Sequence, residues 1–444
     1  MDECRPVEVS RLLDERGLAP LHVALLVWSL FLTVIDGYDI SSIAFAAPSL
    51  VKAWGLKSGG LGPILSASLA GTLFGSALFG WAGDRFGRRI ALATANLLFG
   101  AFTFAAAFST GPDQMFWLRL FAGLGIGGVI PNVVALNAEC APGRLRATLA
   151  IIAVAGVPLG GALPGVVAAT LVPDHGWQVL FWIGGVIPLV VGTAALFGLP
   201  ESIKFMALHE HLHPRLGRLL AKLKPGFAVP DHPRFVIAGE KQVPGFSPVY
   251  LFGDGLAVVT PLTWLLFALN LMGYFFVLSW TPTLLTAARL PPTDAALAAT
   301  VLQLGGTAGS LLMARYLQRR HFFGLAVMFV LAVPAVGAIG WAGLTSRTAL
   351  LVTTGIAGFL VLGIQSGINV LGAMIYPTSL RANGSGWQLG IGRIGSIVGP
   401  LAGGLLAGMA VETQYMLSAL PFAAGAAVSF ALYRLAGHRV RADA

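Results

Sequence analysis

The chain has 444 residues, of which 56% are hydrophobic and only 11% are charged. Charged side chains normally make up about a quarter of a soluble globular protein, so this composition argues against a cytosolic enzyme and indicates a membrane protein. The net charge is +9, but the 28 Lys and Arg lie in short clusters between apolar runs. Such clusters are typical of membrane loops rather than of a nucleic-acid-binding face. The two cysteines, Cys4 and Cys140, indicate no disulfide framework.

Residues 1–20 form a charged tail that precedes the first apolar run. That run is too long for the core of a signal peptide and is expected to stay as a membrane helix. About 20 apolar residues span the hydrocarbon layer, and twelve such runs can be placed. They cover residues 21–46, 61–82, 89–109, 115–138, 147–170, 178–198, 259–281, 296–314, 322–343, 348–372, 383–409 and 413–434. We therefore predict an all-α integral membrane protein with twelve transmembrane helices.

Residues 199–258 interrupt this pattern with prolines and charges. They are predicted to be a linker between six-helix bundles at 21–198 and 259–434, with a short tail at 435–444. The two halves also share a sequence pattern, because Pro142, Leu145 and Arg146 recur in the same order as Pro377, Leu380 and Arg381. Two parallel six-helix pseudo-repeats are typical of transporters that rock one half against the other around a central site.

The loop charges predict the orientation of the helices. If the N-terminus is cytoplasmic, the loops on the other side contain only Lys52, Lys57, Arg289 and Arg347. The positive-inside rule then puts both termini and the linker in the cytoplasm.

Asp36 and Asp39 are the two acidic residues that fall well inside a predicted span. A carboxylate at the centre of a membrane helix costs about 3 kcal/mol on insertion scales, so it needs a partner or a use. The spacing puts both on one helix face, and two such carboxyls in a low-dielectric environment do not both ionise easily. We predict that this pair loads and releases protons. The alternative is a buried polar network, or a position at a water-filled end of the helix.

Arg119 and Arg393 are the corresponding cations, one in each half. A guanidinium offers paired donors to a carboxylate, which favours an anionic substrate. Arg393 is deeper in its span and is the stronger candidate. The alternative is that either arginine only neutralises Asp36 or Asp39.

Two further patterns are not expected to bind a cofactor. The glycine-rich run at 123–128 lacks the Lys-Ser/Thr of a phosphate loop and lies in an apolar span. His209, His211 and His213 alternate, but no cysteine or fixed geometry supports a metal site. We therefore expect neither a metal nor another cofactor.

Several segments resemble the major facilitator superfamily, and within it the aromatic acid:proton symporters. The loop at 80–89 reads GWAGDRFGRR, and further matching segments read DGYD at 36–39, RLFAGLGIGG at 119–128, YPTSLRANG at 376–384 and GIGRIG at 390–395. The resemblance covers almost the whole chain. One position departs from it, because Gln318 stands where the second copy of the loop motif usually has an acid.

The resemblance implies the major facilitator fold and uptake of a benzoate-like or hydroxybenzoate-like anion with protons across a bacterial inner membrane, in support of aromatic catabolism. It implies that Asp36 and Asp39 couple protons and that Arg119 and Arg393 bind substrate. It also implies a cytoplasmic gate, for which the candidates are Asp84, Arg85, Arg88, Glu139, Arg144 and Arg381.

The ring substituents of the substrate are not fixed by the sequence. The candidates for contact with the ring are polar or aromatic residues inside the spans, namely Tyr38, Asn270, Tyr274, Gln365, Asn369 and Trp387. Each is equally well explained as an interhelical hydrogen bond or an interface aromatic.

The nearest alternative function is that of a carrier for another organic anion, a sugar or a drug. A chemoreceptor-like sensor and a membrane acyltransferase are more distant ones. We expect a monomer with no nucleic-acid partner.

Overall fold

The computed structural model describes residues 7–8, 14, 18–223, 235–236, 248–253, 255–376 and 380–442, which are mostly helical. Two short strands, β1 (Val7–Glu8) and β2 (Phe235–Val236), pair in parallel. The helices are α1 (Pro20–Trp54), α2 (Leu61–Phe86), α3 (Arg88–Ala106), α4 (Pro112–Cys140), α5 (Arg146–Val154), α6 (Gly156–Thr170), α7 (Val172–His175), α8 (Gln178–Gly198), α9 (Ile203–Leu208), α10 (His213–Leu223), α11 (Val259–Ala287), α12 (Pro292–Gly337), α13 (Ile339–Thr345), α14 (Arg347–Ile375), α15 (Arg381–Leu405), α16 (Val411–Ser418) and α17 (Leu420–Ala442).

Eleven segments of the described chain are helical, long and apolar enough to cross a bilayer. They correspond to eleven of the twelve predicted spans. The remaining predicted span, 383–409, falls on α15, whose 25 residues also suffice for a crossing. Gln388, Arg393 and Ser396 make α15 more polar than a purely lipid-facing helix. The predicted all-α membrane fold is confirmed.

Some spans are built from more than one helix, and one helix contributes to two spans. The fifth span, Thr148–Thr170, runs through α5 and α6, and the last, Val411–Ala436, runs through α16 and α17. Helix α12 contains the span Pro292–Met313, and the next span, Phe322–Ala342, begins in α12 and ends in α13. Gln318 lies between these two spans, outside the side chains that the structure describes.

Proline and glycine set several helix ends. Proline occupies the first turn of α1, α4 and α12, where its missing N–H costs nothing. Gly55 ends α1 with a φ of 59°, and Gly87 separates α2 from α3 with a φ of 96°. Both values favour glycine because they are strained for other residues.

Close helix packing positions the central residues. Helix α2 crosses α4 at Gly71 and Gly123, where an added Cβ on either glycine would overlap the backbone of the other helix. Such contacts between small residues let membrane helices approach at backbone distance. They bring polar side chains of neighbouring helices within reach of each other.

The helices before the linker pack mainly among themselves, through the pairs α2/α4, α3/α8 and α1/α6. Those after it do the same through α12/α14, α11/α15 and α12/α17. The two sets meet where α1 contacts α11, α2 contacts α15 and α6 contacts α12. The bundle boundaries at 198 and 259 remain predictions.

The two sets also meet near the connection between α1 and α2. A Cβ built on Gly62 would lie 3.3 Å from the carbonyl oxygen of Pro400 in α15. Helices α2 and α15 are therefore tightly packed at this end.

Candidate functional site

A buried ion pair joins α1 to α4. Nη1 of Arg119 lies 3.0 Å from Oδ1 of Asp39 and 3.0 Å from Oδ2. Nη2 of Arg119 donates to the main-chain oxygen of Asp39 at 3.0 Å, and the hydroxyl of Thr103 donates to Oδ1 at 2.7 Å. Neither charged side chain is exposed. Arg119 is therefore already neutralised by Asp39.

Asp36 is equally buried but lies in a different environment. Neither of its carboxylate oxygens has a hydrogen-bond partner among the described residues. The charges that act on it most are those of Asp39 and Arg393. A buried carboxylate without a donor is costly when ionised. Asp36 is thus the member of the acid pair whose carboxylate has no hydrogen bond to the described part of the chain.

Arg393 connects α15 to α2, and so connects the two sets of helices. Its Nη1 donates to the main-chain oxygen of Thr72 at 2.6 Å, and its side chain is only partly buried. It makes no ion pair within 4 Å with the described residues, although the charge of Asp36 interacts with it electrostatically. A guanidinium has five N–H donors, so Arg393 retains donors for a further acceptor.

The predicted ring contacts are distributed over several helices. The hydroxyl of Tyr38 donates to the main-chain oxygen of Leu180 at 3.1 Å, which ties the ring to α8. Asn270 of α11 donates to Gln365 of α14 at 2.7 Å. The ring of Trp387 lies 6.3 Å from that of Trp264, centroid to centroid. Asn369 is exposed on α14.

Gln303 of α12 is a polar residue that the sequence analysis missed. Its Oε1 accepts from the hydroxyl of Tyr274 at 3.3 Å, and its Nε2 donates to Ser41 of α1 at 3.4 Å. Gln303 is 2% exposed. Asn270 was a candidate because it is a polar residue inside an apolar run. Gln303 has the same property, since it lies in the apolar run 296–314.

Three of the predicted gate residues form one cluster. Nη2 of Arg88 donates to Asp84 at 2.6 Å and to Glu139 at 2.8 Å. The hydroxyl of Ser202, which the sequence did not single out, donates to Glu139 at 2.5 Å. The loop after α8 is thereby tied to α3 and α4.

The other predicted gate residues are not part of this cluster. Arg85 and Arg144 are exposed and make no ion pair with the described residues. The side chain of Arg381 lies outside the described part of the chain.

The histidines near the linker have local partners. A ring nitrogen of His209 lies 2.9 Å from the main-chain oxygen of Phe205, and one of His213 lies 2.9 Å from that of Ala207. No group of three or more metal-ligating side chains occurs in the part of the chain that the structure describes.

The sequence matches the model of the Major Facilitator Superfamily over residues 29–400. It is 33% identical to the 4-hydroxybenzoate transporter PcaK of Pseudomonas aeruginosa, over 96% of each chain. It is 33% identical to the gallate transporter of Pseudomonas putida, over 95% of this chain and 94% of the relative. Identity to the benzoate transport protein of Acinetobacter baylyi is 30%, over 94% of this chain and 90% of the relative.

Solved structures of the same fold include a bacterial homolog of the human lysosomal transporter Spinster in an inward-facing, unoccupied conformation. The TM-score is 0.71 at 16% identity, covering 95% of this chain and 99% of the other. The partially occluded, inward-open xylose transporter XylE from E. coli gives a TM-score of 0.72 at 16% identity, covering 92% and 97%. With the family model and the full-length relatives, these matches show that the chain is a transporter of the Major Facilitator Superfamily, in the branch that contains these aromatic acid transporters.

Proposed function

We propose that the protein imports an aromatic carboxylate together with protons, by alternating access across the bacterial inner membrane. The observation that carries this proposal is the charge interaction between Asp36, which has no hydrogen-bond donor among the described residues, and Arg393, which retains free donors. The two residues lie on helices of different sets, α1 and α15. The similarity to transporters of 4-hydroxybenzoate, gallate and benzoate supports the choice of substrate class.

In the proposed cycle, the substrate carboxylate binds Arg393. A guanidinium binds a carboxylate through two parallel N–H donors, which fixes its orientation. Arg119 is less suited to binding the substrate carboxylate, because its guanidinium already forms an ion pair with Asp39. We therefore assign Arg119 to positioning Asp39, with Thr103 as the second donor.

Charge balance links proton binding to substrate binding. With all four groups ionised, the charges of Asp36, Asp39, Arg119 and Arg393 cancel. An incoming carboxylate adds one negative charge in a low-dielectric region, which is costly unless it is compensated. A proton on Asp36 restores neutrality and removes the anion that competes for Arg393. If one proton binds with each substrate carboxylate, the site is therefore neutral both without and with substrate.

The aromatic ring is proposed to lie against residues of the second set of helices. Asn270, Tyr274, Gln365, Asn369 and Trp387 are the proposed contacts, and Gln303 joins them because its hydrogen bonds of 3.3 and 3.4 Å are long. Long bonds are weak, so a ring hydroxyl can replace them at small cost. Tyr38 is proposed to support the helix face that carries the two acids.

Alternating access requires the gate cluster to form and break. We propose that the bonds of Arg88 to Asp84 and Glu139 stabilise one of the two conformations. Arg85, Arg144 and Arg381 are proposed as further contacts formed in the other conformation. With both termini in the cytoplasm, as the loop charges predict, this cluster lies on the cytoplasmic side.

The function is tested by uptake into proteoliposomes. Labelled 4-hydroxybenzoate and benzoate should accumulate above the external concentration only with an inwardly directed proton gradient, and 4-hydroxybenzamide should not accumulate. If none of these acids accumulates while another organic anion, a sugar or a drug does, the substrate class is wrong. If the acids only equilibrate, whatever the gradient, proton coupling is wrong.

A further inference from the structure

A basic cavity lies where α2 ends and the chain turns at Gly87 into α3. Its volume is about 250 Å³. The charged or ionisable side chains that line it come from this turn and from the segment after α8. They are Arg85, Arg89, Glu201, His209, His211 and Arg215. A second cavity of about 180 Å³ shares Glu201 and Arg215 with the first and adds Arg218.

The positive charge of this cavity is not balanced from within. Glu201 is the carboxylate that lines both cavities, and its Oε1 already accepts the backbone N–H groups of Arg89 at 3.2 Å and Ser202 at 2.8 Å. Arg85, Arg89 and Arg215 form no ion pair within 4 Å with any described residue. Several arginines that converge without a partner favour binding of an anion.

Part of the cavity lining is apolar and exposed. Phe86 and Ile90 line the cavity and are 51% and 41% exposed. Trp81, which precedes them on α2, is 58% exposed. All three lie at or near the ends of membrane-spanning helices, where aromatic residues commonly meet the lipid headgroups. A site lined by arginines and by exposed apolar side chains matches a ligand with a charged headgroup and hydrocarbon chains.

Helix α10 supports the same location. Leu216 and Leu220 are buried, whereas Arg215 and Arg218 are exposed. Leu216 and Leu220 belong to the buried protein core, so α10 presents its basic side outward beside the two cavities. Basic pockets beside transmembrane helices on the cytoplasmic side are known to hold anionic lipid headgroups.

We propose that this cavity binds the phosphate of an anionic phospholipid, with Arg85, Arg89 and Arg215 as donors and with Phe86 and Ile90 against the acyl chains. Guanidinium groups bind phosphate oxygens through paired, charge-assisted hydrogen bonds. A free phosphate ion offers the same oxygens to the arginines but would gain nothing from the apolar part of the lining. The proposal is independent of the transported substrate.

The site adjoins the gate cluster. Glu201 binds the backbone of Arg89, which follows Arg88 directly, and Ser202 donates to Glu139. A bound headgroup would hold the start of α3 and the segment after α8 together. Anionic lipid is therefore expected to affect the gate as well as the local structure.

The test is a binding titration of the purified full-length protein in detergent with fluorescent phosphatidylglycerol. Binding should saturate and should be displaced by unlabelled phosphatidylglycerol and cardiolipin. Phosphatidylcholine and inorganic phosphate at equal concentration should displace less than a tenth as much. Arg215→Gln should weaken binding at least fivefold, and Arg89→Gln with Arg215→Gln at least twentyfold. The matched control is Arg434→Gln, an exposed arginine of α17 stacked on Phe430, which should stay within twofold of the wild type.

Three results would overturn the proposal. Equal displacement by phosphatidylcholine would mean that the headgroup charge is not recognised, and displacement by inorganic phosphate alone would assign the site to a free ion. Unchanged affinity in Arg215→Gln, with a normal gel-filtration profile, would also remove the cavity as the binding site. Arg215 is an exposed residue outside the membrane spans, so this single variant remains informative if the double variant does not fold.

Discussion

Asp39 and Arg119 form a fully buried ion pair with 3.0 Å between Nη1 and each carboxylate oxygen. One helical turn before it, Asp36 has no hydrogen-bond partner among the described residues. The DGYD segment therefore contains two acids in opposite environments. Asp39 is expected to determine mainly stability, and Asp36 mainly proton coupling.

Replacing one member of the buried ion pair should destabilise the protein. Asp39→Asn leaves Arg119 as an uncompensated buried charge, which costs about 3–5 kcal/mol in comparable cases. Asp39→Asn combined with Arg119→Gln removes both charges and should recover most of that loss. Melting temperatures in detergent test this pair of variants. A single variant as stable as the wild type would show that the ion pair does not contribute in this way.

Asp36→Asn should impair proton coupling without lowering stability. The amide has nearly the same size and replaces a carboxylate that makes no hydrogen bond with any described residue, so the melting temperature should be unchanged or higher. Proton-driven accumulation should be lost because an amide cannot exchange a proton, whereas exchange of internal for external substrate should continue.

The control is Asp174→Asn, a change of the same kind at an exposed acid of α7. It should accumulate substrate as the wild type does. Accumulation against the gradient by Asp36→Asn would remove Asp36 from the coupling mechanism.

The sequence predicted the fold and part of the site. Apolar runs of the right length and the loop motif at 80–89 led to the correct architecture, because a bilayer imposes both helix length and loop charge. The acids and arginines inside the spans were visible as costly exceptions. Their pairing was not visible, because which arginine meets Asp39 depends on how α1, α3 and α4 cross. Thr103, Ser202 and Gln303 were missed because hydroxyls and amides are common in helix contacts.

Arg393→Lys should weaken binding of the acid but not of its amide. The ammonium keeps the charge and loses the planar pair of donors, so the affinity for 4-hydroxybenzoate should fall by about 1–3 kcal/mol, the scale of a charge-assisted hydrogen bond. The affinity for 4-hydroxybenzamide should be low in the wild type and should fall little further. Equilibrium binding in detergent measures both ligands. Equal losses for the two would mean that Arg393 acts only on Asp36.

The stability of the segment after α8, which adjoins the gate cluster, should depend on pH because of Glu201. Burial raises the pKa of the Glu201 carboxyl, although backbone N–H donors partly oppose the shift. The folded protein therefore takes up this proton at a higher pH than the unfolded chain, and the contribution of Glu201 to stability is lost as the pH rises through the raised pKa. Glu201→Gln should be more stable than the wild type at about pH 8, and this advantage should shrink towards about pH 5. Melting curves across this range test the sign, and an advantage that grows as the pH falls would contradict it.

Proton movement driven by substrate tests the central claim most directly. Proteoliposomes that contain a trapped pH dye are given 4-hydroxybenzoate at mildly alkaline pH, where little of the acid is neutral and able to cross the lipid unaided. The wild type should acidify the interior faster than protein-free vesicles, and 4-hydroxybenzamide should have no effect. Asp36→Asn should carry labelled 4-hydroxybenzoate by exchange with no added acidification. Uptake by the wild type without acidification beyond that of protein-free vesicles would contradict coupled transport of carboxylate and protons.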